Sequence, residues 1–272
     1  MQQITLAREV SMVGVGLHAG KDVHLTLKPA EAGTGIVFCR ADLPDRPVIH
    51  ATADKVTATV RATTLEENGA QVFTVEHLMS AFHGLKIDNC LVEMDSPEPP
   101  VADGSALSSV ELIESAGIRE LAAPRREIVI DRVYRVDEPG KFVMALPYDG
   151  FRVTFTSVNS HRLIGIQVAD FTLEGDTYRR EIAPARTIAY EKEVQALREM
   201  GLGLGGTLEN VIVYNDEGWL NPLRFSDELV RHKALDVIGD LRLAGIIRGH
   251  VIALASGHAL NTRLAKKILA AG

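Results

Sequence analysis

Only two cysteines, Cys39 and Cys90, occur among the 272 residues, far apart and in no C-x-x-C unit. Such spacing argues against a disulfide framework, a redox pair or a thiolate zinc cluster, and leaves two buried reduced thiols as the expectation. Basic charge is not in excess either. Twenty-nine Lys and Arg against 36 Asp and Glu give a net charge of -7, spread along the chain without a basic stripe. Phosphate contacts need such a stripe, so a nucleic-acid partner is not expected. No apolar run reaches the roughly 20 residues that cross a bilayer. The most apolar late stretch, residues 243–256, is broken by Arg248 and His250, and residues 1–9 lack the apolar core of a secretion signal. A cytoplasmic chain without a membrane span is the expectation. The H-E-x-x-H motif of metallopeptidases is also missing.

At 272 residues the chain is long for one compact core, and two domains of roughly 130 residues each are expected. Alternating runs such as residues 23–27, after a turn at 18–21, read as antiparallel strands. From Thr74 the period changes: Val75, Leu78, Met79, Phe82 and Leu85 recur at steps of three and four. This predicts an amphipathic helix with Thr74 as its N-cap and Gly84 near its end. A strand at 89–94, a turn through Pro97, Pro99 and Pro100, and a helix over 105–116 complete a first domain, 1–121. The short polar run 122–127, with Pro124, reads as a linker. A second domain, 127–272, restarts with strands at 128–130, 142–146 and 151–156. It continues with a helix near 191–200, a strand at 210–214, a helix over 227–244, a strand at 250–255 and a last helix ending at Leu269. Strands before paired helices in each half suggest two α+β layers arising by duplication.

The run Gly201-Leu202-Gly203-Leu204-Gly205-Gly206 spells G-x-G-x-x-G, but it follows a helical pattern and leads into a strand. A dinucleotide site needs the reverse context, with the pyrophosphate at a helix N-terminus, so these glycines are read as close-packing positions. Two other stretches carry chemistry. Thr74-Val75-Glu76-His77 puts an acid beside an imidazole in a first helical turn, where the helix dipole favours a carboxylate and a neutral imidazole. In the later helix, His232, Asp236 and Asp240 stand four apart on one side. Taken singly, each has an ordinary reading as a solvated helix face or a first-turn acid. With His258 added, they are the parts of a metal-dependent hydrolase, since catalytic zinc takes three protein ligands and leaves one position for water.

Read together, the ordered motifs resemble the zinc-dependent UDP-3-O-acyl-N-acetylglucosamine deacetylases of lipid A biosynthesis in Gram-negative bacteria. They are Gly14-Val15-Gly16-Leu17-His18-Ala19-Gly20, residues 74–81, Asp103-Gly104-Ser105-Ala106, Ala185-Arg186-Thr187, residues 203–210, residues 231–241 and Ser256-Gly257-His258-Ala259-Leu260-Asn261. The resemblance implies an α+β fold of two similar domains, each a sheet layered against two helices in the manner of ribosomal protein S5 domain 2. The active site would lie at their interface, and each domain would carry a small insert. It also implies His77, His232 and Asp236 as ligands of one Zn2+, Glu76 as general base and Thr187 as oxyanion donor. His258, oriented by Asp240, would protonate the leaving amine, with Lys233 adding positive charge. The implied substrate is UDP-3-O-(3-hydroxyacyl)-N-acetylglucosamine, and the implied state a monomer. Ile188 stands where the family usually has an aromatic residue, which bears on the pocket shape beside Thr187. An acyl passage is placed in the insert at 188–215, with Leu197, Met200, Leu202 and Leu204; core packing is the competing reading there. Phe155, a possible uracil-stacking ring, is better read as sheet core. The rival functions are a non-catalytic sugar-nucleotide-binding relative and a deacetylase of another N-acetylated sugar nucleotide.

Overall fold

Val23, Leu25 and Leu27 alternate with more exposed neighbours, and in the computed structural model, which describes residues 1–271, all three turn inward from the strand Asp22–Pro29. That strand is second in a five-stranded sheet ordered Val10–Val15, Asp22–Pro29, Cys90–Met94, Ile36–Arg40, Val48–His50. A larger sheet is ordered Tyr134–Glu138, Lys141–Leu146, Ile246–Leu254, Phe151–Val158, Ile166–Thr172, with Glu127–Val129 pairing its central strand. In both sheets the central strand comes last in the chain and lies antiparallel to one neighbour and parallel to the other. The result is a mixed α+β architecture.

Among the described residues, five α-helices accompany the sheets: α1 (Glu76–Gly84), α2 (Leu107–Ala116), α3 (Glu191–Glu199), α4 (Glu228–Arg242) and α5 (His258–Leu269). Helices α1 and α4 are buried on nearly every side, as expected of helices enclosed between layers rather than lying on a surface. One continuous core therefore joins both large sheets and includes Phe38, Phe82, Phe155, Val237 and Leu264. The two helices meet at backbone distance: a Cβ on Gly239 would stand 2.0 Å from the carbonyl oxygen of Glu76. Elsewhere on α1, the Tyr178 hydroxyl donates to Ser80 Oγ at 2.9 Å, and the His83 ring lies 4.4 Å from that of Phe151 on the second sheet. No helix among the described residues is long and apolar enough to cross a membrane.

Two small additions flank this core. One is the three-stranded sheet Val56–Ala58, Thr64–Glu67, Ala70–Phe73, and the other is the parallel pair Ile188–Tyr190 and Ile212–Tyr214 with α3 between them. Cys39 and Cys90 are buried free thiols, and burial pushes Cys90 up to about 12.

Local details depart from the sequence expectations. Thr74 does not cap α1. The helix begins after Val75 with no side-chain cap, and Thr74 takes a left-handed φ of 55° while its hydroxyl donates to the fully buried carboxylate of Glu98 at 2.7 Å. A tertiary acceptor has taken the hydroxyl that a cap would have used. Residues 118–124 form a strand against Gln2–Leu6, leaving only Arg125 and Arg126 outside regular structure between 118 and 129. That strand is mostly exposed and so has no apolar alternation to announce it.

The α1–α4 contact has a direct test. Gly239→Ala forces its methyl into the Glu76 carbonyl, and overpacking of this kind costs about 1–3 kcal/mol. A lowered denaturant midpoint, with loss of whatever activity depends on Glu76 and His77, is expected; an unchanged midpoint would show that the helices can separate freely.

Candidate metal centre and its surroundings

A four-residue step slightly exceeds one helical turn, so His232, Asp236 and Asp240 project from one side of α4, and all three are buried. The first turn of α1 brings His77 against them. His232 Nε2 lies 3.4 Å from Asp236 Oδ1, and His77 Nε2 lies 3.9 Å from the same oxygen. The two imidazoles meet edge to face at 4.9 Å, and one ligand-type atom from each of the three residues lies within 4.8 Å of the others.

Three observations bear on whether this set suits a cation. Asp236 Oδ1 is buried and accepts no hydrogen bond, an arrangement that is costly for a carboxylate oxygen unless a cation completes it. His232 Nδ1–H donates to the Ala185 carbonyl at 3.0 Å, which leaves the Nε2 lone pair directed to the Asp236 side. Burial, with the neighbouring His232, lowers His77 to about 3, and burial also lowers His232, so both rings are neutral, the ligating form. Burial opposes the charge on Asp236, yet Lys233, together with the cationic His258, outweighs it and holds the carboxyl well below the usual carboxylate range. Lys233 Nζ donates to Asp236 Oδ2 at 2.9 Å. Two nitrogens and one anionic oxygen form a donor set that fits a divalent metal of the zinc type.

Beside this set lies a second buried group of charges. Burial raises Glu76 to about 7; His258 opposes that rise, and Asp240 and Asp236 add to it. Glu76 Oε2 accepts the backbone N–H of Thr63 at 3.1 Å. His258 opens α5, and its Nδ1 lies 2.9 Å from Asp240 Oδ2. Burial disfavours a charge on His258, but the carboxylates of Asp240 and Glu76 prevail and raise it to about 10, so the ring is an imidazolium. Asp240, fully buried, also accepts from Asn261 Nδ2 at 2.9 Å and from the Thr63 hydroxyl at 2.6 Å.

Direct contacts thus unite His77, His232, Asp236 and Lys233, and separately Glu76, Asp240 and His258 through Thr63. Thr187 joins through the backbone. It is half-buried, two residues beyond the Ala185 carbonyl that orients His232, with its N–H on the Gly104 carbonyl at 2.8 Å. That segment is anchored by Arg186, whose backbone N–H and Nε both reach Glu228 Oε1, at 3.0 and 2.9 Å. Glu228, Thr63 and Asn261 escaped the sequence reading. Asn261 lay inside a recognised motif without a role, and Glu228 was visible only as a first-turn acid of α4.

The remaining sequence candidates also have definite places. The glycine run packs against the first sheet's turn, where Gly205 N–H donates to the Leu17 carbonyl at 3.0 Å and a Cβ on Gly205 would meet the Gly16 carbonyl at 2.2 Å. Phe155 is 1 % exposed and belongs to the core. Ile188 packs with Ile212, Tyr214 and Leu229. Near it opens a cavity of about 530 Å³ whose walls include Asn159, His161, Arg162, Tyr190 and Lys192.

A mixed α+β fold with a candidate His2Asp metal centre, and an unshared carboxylate next to it, defines a class of metal-site proteins. Within that class, the chain belongs to the UDP-3-O-acyl N-acetylglycosamine deacetylase family, whose profile matches residues 3–270. Curated relatives named UDP-3-O-acyl-N-acetylglucosamine deacetylase include that of Myxococcus xanthus (strain DK1622), 47% identical over 98% of this chain and 86% of its own length. That of Anaeromyxobacter dehalogenans (strain 2CP-C) is 45% identical over 98% of this chain and 87% of its own. That of Hahella chejuensis (strain KCTC 2396) is 44% identical over 99% and 91%.

The anchor of the Ala185–Thr187 segment generates a prediction. Glu228→Ala leaves the Arg186 guanidinium buried without its partner, a change that typically costs about 3–5 kcal/mol. Equilibrium unfolding measures it, and a loss below about 1 kcal/mol would show that the pair does not hold the segment.

Proposed function

We propose that this chain is a zinc-dependent hydrolase that removes the N-acetyl group of UDP-3-O-(3-hydroxyacyl)-N-acetylglucosamine, releasing acetate and the free amine in lipid A biosynthesis. The observation that carries this reading is the convergence of His77, His232 and the unpaired Asp236 oxygen from two separate helices, at the motifs that match the family. A UDP-sugar substrate agrees with the cytoplasmic location expected from the sequence.

In this reading His77 Nε2, His232 Nε2 and Asp236 Oδ1 hold the metal. When bound, the ion supplies Lewis acidity that polarises the acetamide carbonyl and makes water more acidic. Glu76 is not a ligand. Its carboxylate accepts the proton of the attacking water, a task suited to a base whose affinity for protons burial has raised to about 7. The Thr187 hydroxyl donates to the oxygen that gains charge in the tetrahedral state. His258, already an imidazolium, gives a proton from Nε2 to the departing nitrogen, with Asp240 holding Nδ1–H. Lys233 restrains Asp236 and adds positive charge near the developing anion.

The acyl chain is assigned to the insert at 188–215. Met200 and Leu204 are 65% and 52% exposed, which leaves apolar surface for a lipid tail. The like order of strands in the two large sheets supports two similar domains, 1–121 and 127–272, with the site between them.

Acetate release from the substrate by the purified protein, before and after chelation and zinc restoration, tests the reading. Chelator-sensitive release restored by zinc is expected. No release from folded, zinc-loaded protein would favour a different N-acetylated sugar nucleotide or a binding role. Two variants separate base from ligand. Glu76→Ala should keep its zinc and lose on the order of a hundredfold or more in turnover, whereas Asp236→Ala should lose metal affinity. Zinc loss from the first variant, or full metal content in the second, would overturn the assignment.

A further inference from the structure

We propose that Thr63 is a positioning residue that sets the aim of His258 by fixing the Asp240 carboxylate, an inference that rests on the deacetylase reading above. Thr63 is fully buried and lies just before the strand Thr64–Glu67 of the three-stranded addition. Its two hydrogen-bond donors face two different carboxylates. The backbone N–H donates to Glu76 Oε2 at 3.1 Å, and the hydroxyl donates to Asp240 Oδ1 at 2.6 Å. The base on α1 and the anion on α4 are therefore tied to one residue.

An ionised carboxylate only accepts, so the donors around Asp240 determine how its plane is turned. His258 Nδ1–H and Asn261 Nδ2–H both go to Oδ2, at 2.9 Å each. The Asn261 amide is itself oriented by the Ser256 hydroxyl, which donates to its Oδ1 at 2.9 Å. Among the described residues, Thr63 supplies the one side-chain hydrogen bond to Oδ1. Deleting that hydroxyl leaves a fully buried anionic oxygen without its donor, and the carboxylate turns to recover one. His258 Nδ1 follows Oδ2, which displaces Nε2 from the departing nitrogen. The bond to Glu76 comes from the backbone, so a side-chain substitution spares it and isolates the Asp240 arm.

The test compares wild type, Thr63→Val and Thr63→Ser in steady-state acetate release, with zinc content and unfolding measured on each. Thr63→Val should lower kcat by on the order of ten- to a hundredfold, the size of one hydrogen bond to a charged group. KM should stay within about twofold and zinc content should not change, because substrate and metal contacts are spared. Thr63→Ser restores the hydroxyl and should recover most of kcat. In an Asp240→Asn background, Thr63→Val should add little further loss, since both changes act on one contact. Should Thr63→Val not fold, Thr63→Cys, of similar volume and a weaker donor, is read in the same way. A valine variant with wild-type kcat, a serine variant no better than valine, or additive losses in the double variant would each overturn the role. Absence of release by the wild type would overturn the deacetylase reading itself, while wild-type release matched by valine leaves that reading standing and removes Thr63 from it.

Discussion

The site depends on how closely α1 and α4 approach. Gly239 has no side chain at the point where the helix carrying His232 and Asp236 meets the backbone of Glu76. Any larger residue would hold the helices apart, and the span within which one ion can touch both imidazoles and the carboxylate would be exceeded. Burial of both helices on nearly all sides keeps that approach fixed. The large sheets thus act as clamps on a helix pair, and the candidate metal centre lies in the first turn of one helix and the middle of the other.

Taking so many charges out of water is expensive, and the structure offsets it by pairing opposite signs in sequence. Lys233 answers Asp236, and His258 answers Asp240. Glu76 accepts only a backbone N–H, that of Thr63, and burial raises its proton affinity. Carboxylates gathered in one buried site thereby meet different surroundings, decided by which donors reach them.

Much of the site could be read from the chain because its residues fall in short local patterns. Glu76 and His77 are adjacent, and His232 and Asp236 are one helical turn apart, so periodicity alone places each pair on a face. His258 and Asn261 share the opening of α5. The contributions of Thr63, Glu98 and Glu228 could not be read in the same way. Each is an isolated polar residue with a partner distant in the chain, as for Thr63 with Asp240, Glu98 with His18 and Glu228 with Arg186. Thr74 shows the same limit from the other direction: a sequence that looks like a cap yields its hydroxyl to Glu98.

The sequence by itself determined the helices and the mixed α+β class, because hydrophobic period and local spacing are properties of neighbouring residues, and its ordered motifs pointed to the family and to the candidate ligand pairs. Only the tertiary structure decided which oxygen of Asp236 is left without a donor, which nitrogen of His232 is free, and which residue ties Glu76 to Asp240. Those outcomes depend on hydrogen bonds between distant segments, whose geometry exists only once the two sheets have closed on α1 and α4.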